Sequence, residues 1–411
     1  MTARTEGTAP APRGQAGVTG DSRRGGLPAV ISVALGSFVL VLSELLPVGA
    51  LTDIGADLDV STGVTGLLVV TPGLAAAVAA PVLTLTAGRL DRRTVLWTLA
   101  ALTAVANLLC AVSQNLATML AGRVLLGAAL GGFWAVGAAV APRLVPPESA
   151  HRAASLVTAG ISVGTVASLP LAALAGGSTG WRTAFWAASL VALGALAAQL
   201  RYLPPLPAGP VIGRRALAAV LRSPAARGGL LTTALVFLGH FAAYTYVGPY
   251  LERQADFGGP AIAAVLLAYG VAGIGGNFLA GLTLARSVRG TVGGAAAALA
   301  AAVALLPVCA GSPVLVSVLV VVWGAAFGMV PLSLQTAMAK AVPEAPESSL
   351  AVFVTAVQLS LATGSLLGGL VVDGYGVPAG PVLGAALAAL AVTVPLLSAR
   401  RSRTRQQESV V

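Results

Sequence analysis

Charge is what this chain has least of. Only 9% of its 411 residues are Asp, Glu, Lys or Arg, while 57% are hydrophobic. A soluble domain carries about 25% charged residues, so an ordinary soluble fold is excluded and a polytopic membrane protein is expected. Cysteine is scarce as well. Cys110 and Cys309 both fall inside apolar runs, which gives neither a disulfide framework nor a metal-ligand spacing. There is no Gly-Lys-Ser/Thr phosphate loop, so ATP does not power the protein directly. No nucleophile–base pair has supporting spacing, so neither an enzyme nor a cofactor is expected. Lysine is nearly absent: of 24 basic residues only Lys340 is not arginine, a coding bias without mechanistic weight.

The formal net charge of +10 suggests nucleic acid only where basic residues cluster. Here they sit in short connections between apolar segments, a membrane-topology pattern, and no nucleic-acid partner is expected. Apolar runs bounded by charge, Gly or Pro predict twelve spans, near 28–51, 63–86, 95–113, 117–141, 154–177, 183–200, 228–251, 261–284, 291–310, 314–338, 350–372 and 380–399. The first is too long for a signal-peptide core, and no small-residue cleavage site follows it. Assigning Lys and Arg by side puts 21 of the 24 in the two tails and in alternate connections. Both termini are therefore expected in the cytoplasm.

The expected organisation is a polar, Pro/Gly-rich disordered tail (1–26), a six-helix bundle (27–201), a Pro- and Arg-rich linker (202–227), a second six-helix bundle (228–399) and a short tail (400–411). The halves match at an offset of 197 residues. Gly73, Arg89 and Arg92 correspond to Gly270, Arg286 and Arg289, while Gly127 and Gly131 correspond to Gly324 and Gly328. Parallel six-helix repeats imply two bundles with a substrate site between them.

One carboxylate, Glu44, interrupts the first apolar run. A charge at that depth costs roughly 2.5–3.5 kcal/mol even on a lenient scale, so Glu44 is expected either neutral and hydrogen-bonded or facing a polar cavity with a partner. The second half has no acidic residue within the expected spans. Its polar inventory there includes His240, Tyr244, Asn277, Gln335 and Gln358. His240 and Tyr244 are four residues apart and share a helix face. With Phe133 and Trp134 in the fourth span, these side chains suit a mostly apolar ligand bearing a few hydrogen-bonding groups.

Four stretches carry a family resemblance: Ser43-Glu44-Leu45-Leu46-Pro47-Val48-Gly49-Ala50-Leu51 with the acidic connection after it; Gly88-Arg89-Leu90-Asp91-Arg92-Arg93 between spans two and three; Arg123-Val-Leu-Leu-Gly127 in span four; and Gly160-x3-Gly164-x3-Ser168-Leu169-Pro170 in span five. Over nearly its whole length the chain resembles the major facilitator superfamily. Within it, the chain is similar to the twelve-helix drug:proton antiporters of the arabinose-efflux and chloramphenicol-exporter subgroup. The resemblance implies an all-α fold of two pseudo-symmetric six-helix bundles in the bacterial cytoplasmic membrane. It implies a monomer that exchanges a small amphipathic substrate for protons, with an importer or facilitator on the same fold, or a non-transporting sensor, as alternatives. It also places spans one and four on the cavity. Glu44 and Arg123 lie at similar depth, about 9 Å below the outer surface at 1.5 Å per residue. They are expected to be electrostatically coupled: a neighbouring guanidinium favours the charged carboxylate and desolvation the neutral acid, so movement can switch the balance. Asp91 and Arg92 are expected to form a state-dependent clamp, and Gly160, Gly164 and Pro170 a hinge in span five.

Overall fold

A computed structural model describes residues 26–86, 90–137, 140–178, 180–207 and 214–408. The expected disordered tail, apart from Gly26, and the Gly88-Arg89 pair lie outside these residues. The first half runs through α1 (Gly26–Gly49), α2 (Leu51–Asp57), α3 (Thr62–Thr65), α4 (Leu67–Thr86), α5 (Arg92–Ala111), α6 (Leu116–Val136), α7 (Ala150–Ser178) and α8 (Trp181–Tyr202). The linker holds α9 (Arg214–Arg222). The second half follows as α10 (Pro224–Tyr244), α11 (Val247–Arg253), α12 (Gly259–Leu284), α13 (Val288–Leu305), α14 (Pro313–Ala341), α15 (Pro346–Tyr375) and α16 (Ala379–Glu408). Eleven helices among the described residues are long and apolar enough to cross a membrane, and Ala379–Val394 of α16 supplies a shorter apolar stretch. Large apolar side chains such as Val308, Phe278 and Leu370 stand on the outer surface, as they do where the surrounding solvent is lipid. The chain is a multi-pass, all-helical membrane protein. Twelve crossings bring both ends of the described chain to one face, the proximal face; the α1–α4 connection lies on the opposite, distal face.

Two expected spans are interrupted. The first breaks after Gly49, where α1 gives way to α2, and the seventh after Tyr244, where α10 gives way to α11. Pro47 removes a donor from the last turn of α1. Gly49 meets the Leu169 carbonyl and Ala172 of α7 so closely that no Cβ would fit. In the second half, Thr245 bonds Ser365 and the Tyr246 hydroxyl donates to the Ser365 carbonyl. Backbone bonds bridge both breaks, from Ala50 N to the Pro47 carbonyl and from Tyr246 N to the Ala243 carbonyl.

The repeat is built from glycines pressed against carbonyls. A Cβ on Gly127 would lie within 3.0 Å of the Pro72 carbonyl oxygen, and one on Gly324 within the same distance of Tyr269's; Gly131 meets Ala76 as Gly328 meets Gly273. Each member of these contacts is 197 residues from its counterpart (127 to 324, 72 to 269). Packing of α7 on α1 repeats as α15 on α10, but at 204 residues. Gly160 and Gly164 meet the Ala34 and Phe38 carbonyls, while Gly364 and Gly368 meet those of Leu238 and Ala242. Small residues let these backbones approach where lipid supplies no hydrophobic drive. The halves meet along α4 against α15 and α7 against α12, with Gly73 on Ala362 and Gly270 on Val166; those two glycines are again 197 apart.

Candidate functional site

Prolines create the demand that Arg123 meets. An α-helical carbonyl normally accepts from the N–H four residues on, and proline has none. Pro47 therefore orphans the Ser43 carbonyl in α1, and Pro72 orphans that of Leu68 in α4. Arg123, projecting from α6 and fully buried, answers both: its Nε donates to the Leu68 oxygen at 2.6 Å and Nη1 to the Ser43 oxygen at 2.7 Å. Its Nη2 donates to the Glu44 main-chain oxygen, also at 2.7 Å. Asn107 of α5 completes the knot by donating to Ser43 Oγ at 2.8 Å. One guanidinium thus ties two proline-bearing helices to a third.

The Glu44 carboxylate points elsewhere. Its Oε1 accepts from Gln358 Nε2 of α15 at 3.4 Å, a contact across the two halves. Among the described residues the one ion pair within 4.0 Å is Arg182–Asp57, at 2.7 Å on the distal surface. Glu44 and Arg123 thus meet through the backbone of Glu44, and their charged groups form no ion pair within 4.0 Å. Both residues are buried, Glu44 at 7% exposure and Arg123 at none. The Gln358 Oε1 is buried without a partner.

A second polar–aromatic cluster lies in the second half. His240 stacks on Phe327, with ring centres 3.4 Å apart, and on Tyr244 at 4.7 Å. Its Nδ1 accepts from Trp323 Nε1 at 3.1 Å, which fixes the ring tautomer with the proton on Nε2 when neutral. Tyr269 joins through Tyr244 and Trp323. The His240 Nε2 and the Tyr269 hydroxyl are buried without partners. Val41, Leu45 and Val48, which flank Glu44 in α1, belong to the same continuous core as Tyr244 and Tyr269. The arrangement gathers buried, mutually stacked rings with two unpartnered hydrogen-bonding atoms among them.

The remaining expected site residues scatter. Phe133 does not face the second half: it lines a small cavity among α1, α5, α6 and α8 with Gly36, Leu99, Thr103 and Gln199. The glycine at 137 leaves its ring room there. Trp134 packs edge-on to it at 5.8 Å. Asn277 is exposed, two turns along the α12 face that carries Gly270. Gln335 is exposed on α14.

The Asp91 carboxylate caps α5, accepting from Arg93 N at 2.8 Å and from Leu206 N at 3.0 Å. Arg92 N donates back to the Leu206 carbonyl. That tie joins the proximal connection to the start of the linker. Pro170 lies inside α7 without ending it.

Two features of the distal face had no sequence signal. Asp373, in the last turn of α15, accepts from Ser61 Oγ at 2.5 Å and from Gly63 N at 2.8 Å. Arg253 donates to Thr62 Oγ1 at 3.1 Å. Both contacts cross the halves and hold their distal ends together. Nearby, partial burial and then the charge of Glu252 hold the Asp53 carboxyl above its ordinary range.

Comparison with known proteins agrees with this geometry. The family model for the Major Facilitator Superfamily matches residues 33–360. The chain is 36% identical over 375 residues to the Pseudomonas aeruginosa "Transcription regulatory protein OpdE", covering 90% of this chain and 93% of that one. It is 31% identical over 348 residues to the Escherichia coli K12 "Purine ribonucleoside efflux pump NepI", covering 85% and 88%. The fold matches the crystal structure of a D-xylose–proton symporter with a TM-score of 0.72 over 90% of this chain and 96% of that one, at 15% identity. It matches the human organic anion transporter MFSD10 with a TM-score of 0.64 over 92% and 100%, at 19% identity. The chain belongs to the major facilitator superfamily of membrane transporters.

Proposed function

We propose that this protein is a proton-driven exporter of a small, flat, amphipathic molecule of the purine ribonucleoside type, working as a monomer in the bacterial cytoplasmic membrane with its proximal face in the cytoplasm. The observation that carries the proposal is the buried acid at Glu44, bonded across the halves to Gln358. A group so placed can report its protonation to the relative position of the bundles. Arg123 holds the Glu44 backbone in place, so a proton can come and go while the helix stays where it is. The cytoplasmic orientation follows from the Lys and Arg on the proximal side. The ligand class rests on the ribonucleoside named for the 31%-identical relative, and the second-half cluster suits it. Stacked rings can hold a base, and His240 Nε2 and the Tyr269 hydroxyl can bond its polar edge.

The test is uptake of a radiolabelled purine ribonucleoside into inside-out vesicles that contain the protein. An imposed gradient, acid inside, is expected to drive accumulation that collapses with a protonophore; accumulation indifferent to the protonophore would overturn the proton coupling. A second reading, a membrane sensor, is raised by the name of the 36%-identical relative. It predicts binding without any uptake in the same vesicles.

A further inference from the structure

We infer that Gln358 is the positioning residue that reads the protonation state of Glu44, forming a two-bond acid–amide pair that closes the distal face only when the acid carries its proton. The inference rests on the proposal that Glu44 is the proton site. Gln358 Nε2 already donates to Glu44 Oε1 at 3.4 Å, while Gln358 Oε1 is buried without a partner. A carboxylate has only acceptors to offer that oxygen; a carboxylic acid has an O–H. Protonation therefore supplies the one donor the site lacks, and both edges of the carboxamide are then satisfied. Loss of the proton leaves two acceptor oxygens facing each other in a buried place, where an unmet acceptor is costly.

The consequence is directional. α1 and α15 belong to different halves, and the Asp373 contacts lie further along the same α15 at the distal face. The protonated pair favours the closed distal face, and its loss frees the halves to part there. In an exporter this is the useful order. The proton taken up distally closes that side, and its release on the proximal side readies the carrier for substrate.

Few other charges face Glu44. Arg123 on α6 engages its main-chain oxygen, and Cys110 is the titratable side chain on the neighbouring α5; from α10, which packs along α15, come His240 and Tyr244, stacked on each other. Helix α4 carries no charged residue. Those of α7 (His151, Arg152), α8 (Arg182, Arg201) and α15 (Glu347, Asp373) lie near the helix ends. On α2 and α11, Asp53 and Glu252 interact across the distal face; they and His240 of α10 are the competing sources of pH sensitivity, and the Gln358→Leu and exchange variants leave His240 in place.

The test is the distance between spin labels at Asp59 and Tyr375, on the distal ends of the two halves, read from about pH 5 to 9. The protein carries Cys110→Ala, Cys309→Ala and Asp53→Asn, so that neither native thiols nor the Asp53 carboxyl contribute. With Glu44 and Gln358 intact, the short-distance population is expected to fall as pH rises. Gln358→Leu is expected to lose that dependence. Exchanging the pair, Glu44→Gln with Gln358→Glu, is expected to restore it. A Gln358→Leu protein that keeps the full dependence overturns the inference. Loss in Gln358→Leu without restoration by the exchange assigns the residue to packing and overturns it too. Glu44→Gln alone separates the two claims. If it keeps the full dependence, the proton-site reading fails as well; if it loses the dependence while Gln358→Leu keeps it, only the role of Gln358 fails.

Discussion

Glu44→Gln is expected to abolish the stimulation of ribonucleoside uptake by a pH gradient in inside-out vesicles, reducing it to the rate seen with the gradient collapsed. Glutamine keeps the size of the side chain and can still accept from Gln358 Nε2, so the packing around α1 is conserved. What it cannot do is gain or lose a proton. Coupling free energies between two ligands of one carrier are typically about 1–3 kcal/mol, or roughly 5–150-fold, which sets the size of the stimulation at stake. Initial rates with and without the gradient measure it. Glu44→Asp sharpens the test, because it keeps the titratable group but withdraws it by one methylene from Gln358. It is expected to retain a reduced stimulation. Full stimulation in the glutamine variant would remove Glu44 from coupling and leave the fold as described.

The second large effect concerns Arg123. Arg123→Ala strands the main-chain oxygens of Ser43 and Leu68, at about 1–3 kcal/mol for each buried acceptor left without a donor, removes the bond to the Glu44 carbonyl, and opens a void where a large fully buried side chain stood. The variant is expected to unfold at markedly lower temperature in detergent, or to fail to accumulate. Arg123→Lys is expected to fall between, since one ammonium does not reproduce the fork that spans α1 and α4. The decisive comparison is a double-mutant cycle with the prolines. Pro47→Ala and Pro72→Ala return an N–H to α1 and α4 four residues after Ser43 and Leu68. The penalty of Arg123→Ala is expected to shrink in that background, where the carbonyls are served within their own helices. An undiminished penalty would show that Arg123 acts through its charge rather than through the orphaned carbonyls.

Much of the architecture was legible because a membrane enforces simple rules. Apolar run lengths marked the crossings, and the 197-residue offset marked the repeat. One offset could not show everything. The α7–α1 and α15–α10 contacts recur at 204 residues, two helical turns longer, because connections of unequal length separate the paired helices. Glu44 and Arg123 stood out as the charges inside apolar runs, and the depth arithmetic set them side by side. It could not tell a carboxylate from a carbonyl as the arginine's partner. The signal that could have done so was present in Pro47 and Pro72, each four residues after a carbonyl it leaves unserved. The Gln358 contact lies 314 residues from Glu44, and no local pattern announces it. Asp373 fell one residue past the expected end of its span, so its part in joining the distal faces was invisible. Phe133 misled because periodicity gives a helix face but not which neighbour that face meets.

The most direct test of Glu44 as the proton carrier is proton release on substrate binding. Purified protein in weakly buffered detergent solution, with a pH indicator present, is mixed with a purine ribonucleoside across the neutral range. The intact protein is expected to release protons as it binds, and the Glu44→Gln protein to bind without releasing any. Equal proton release by the two proteins would contradict the account.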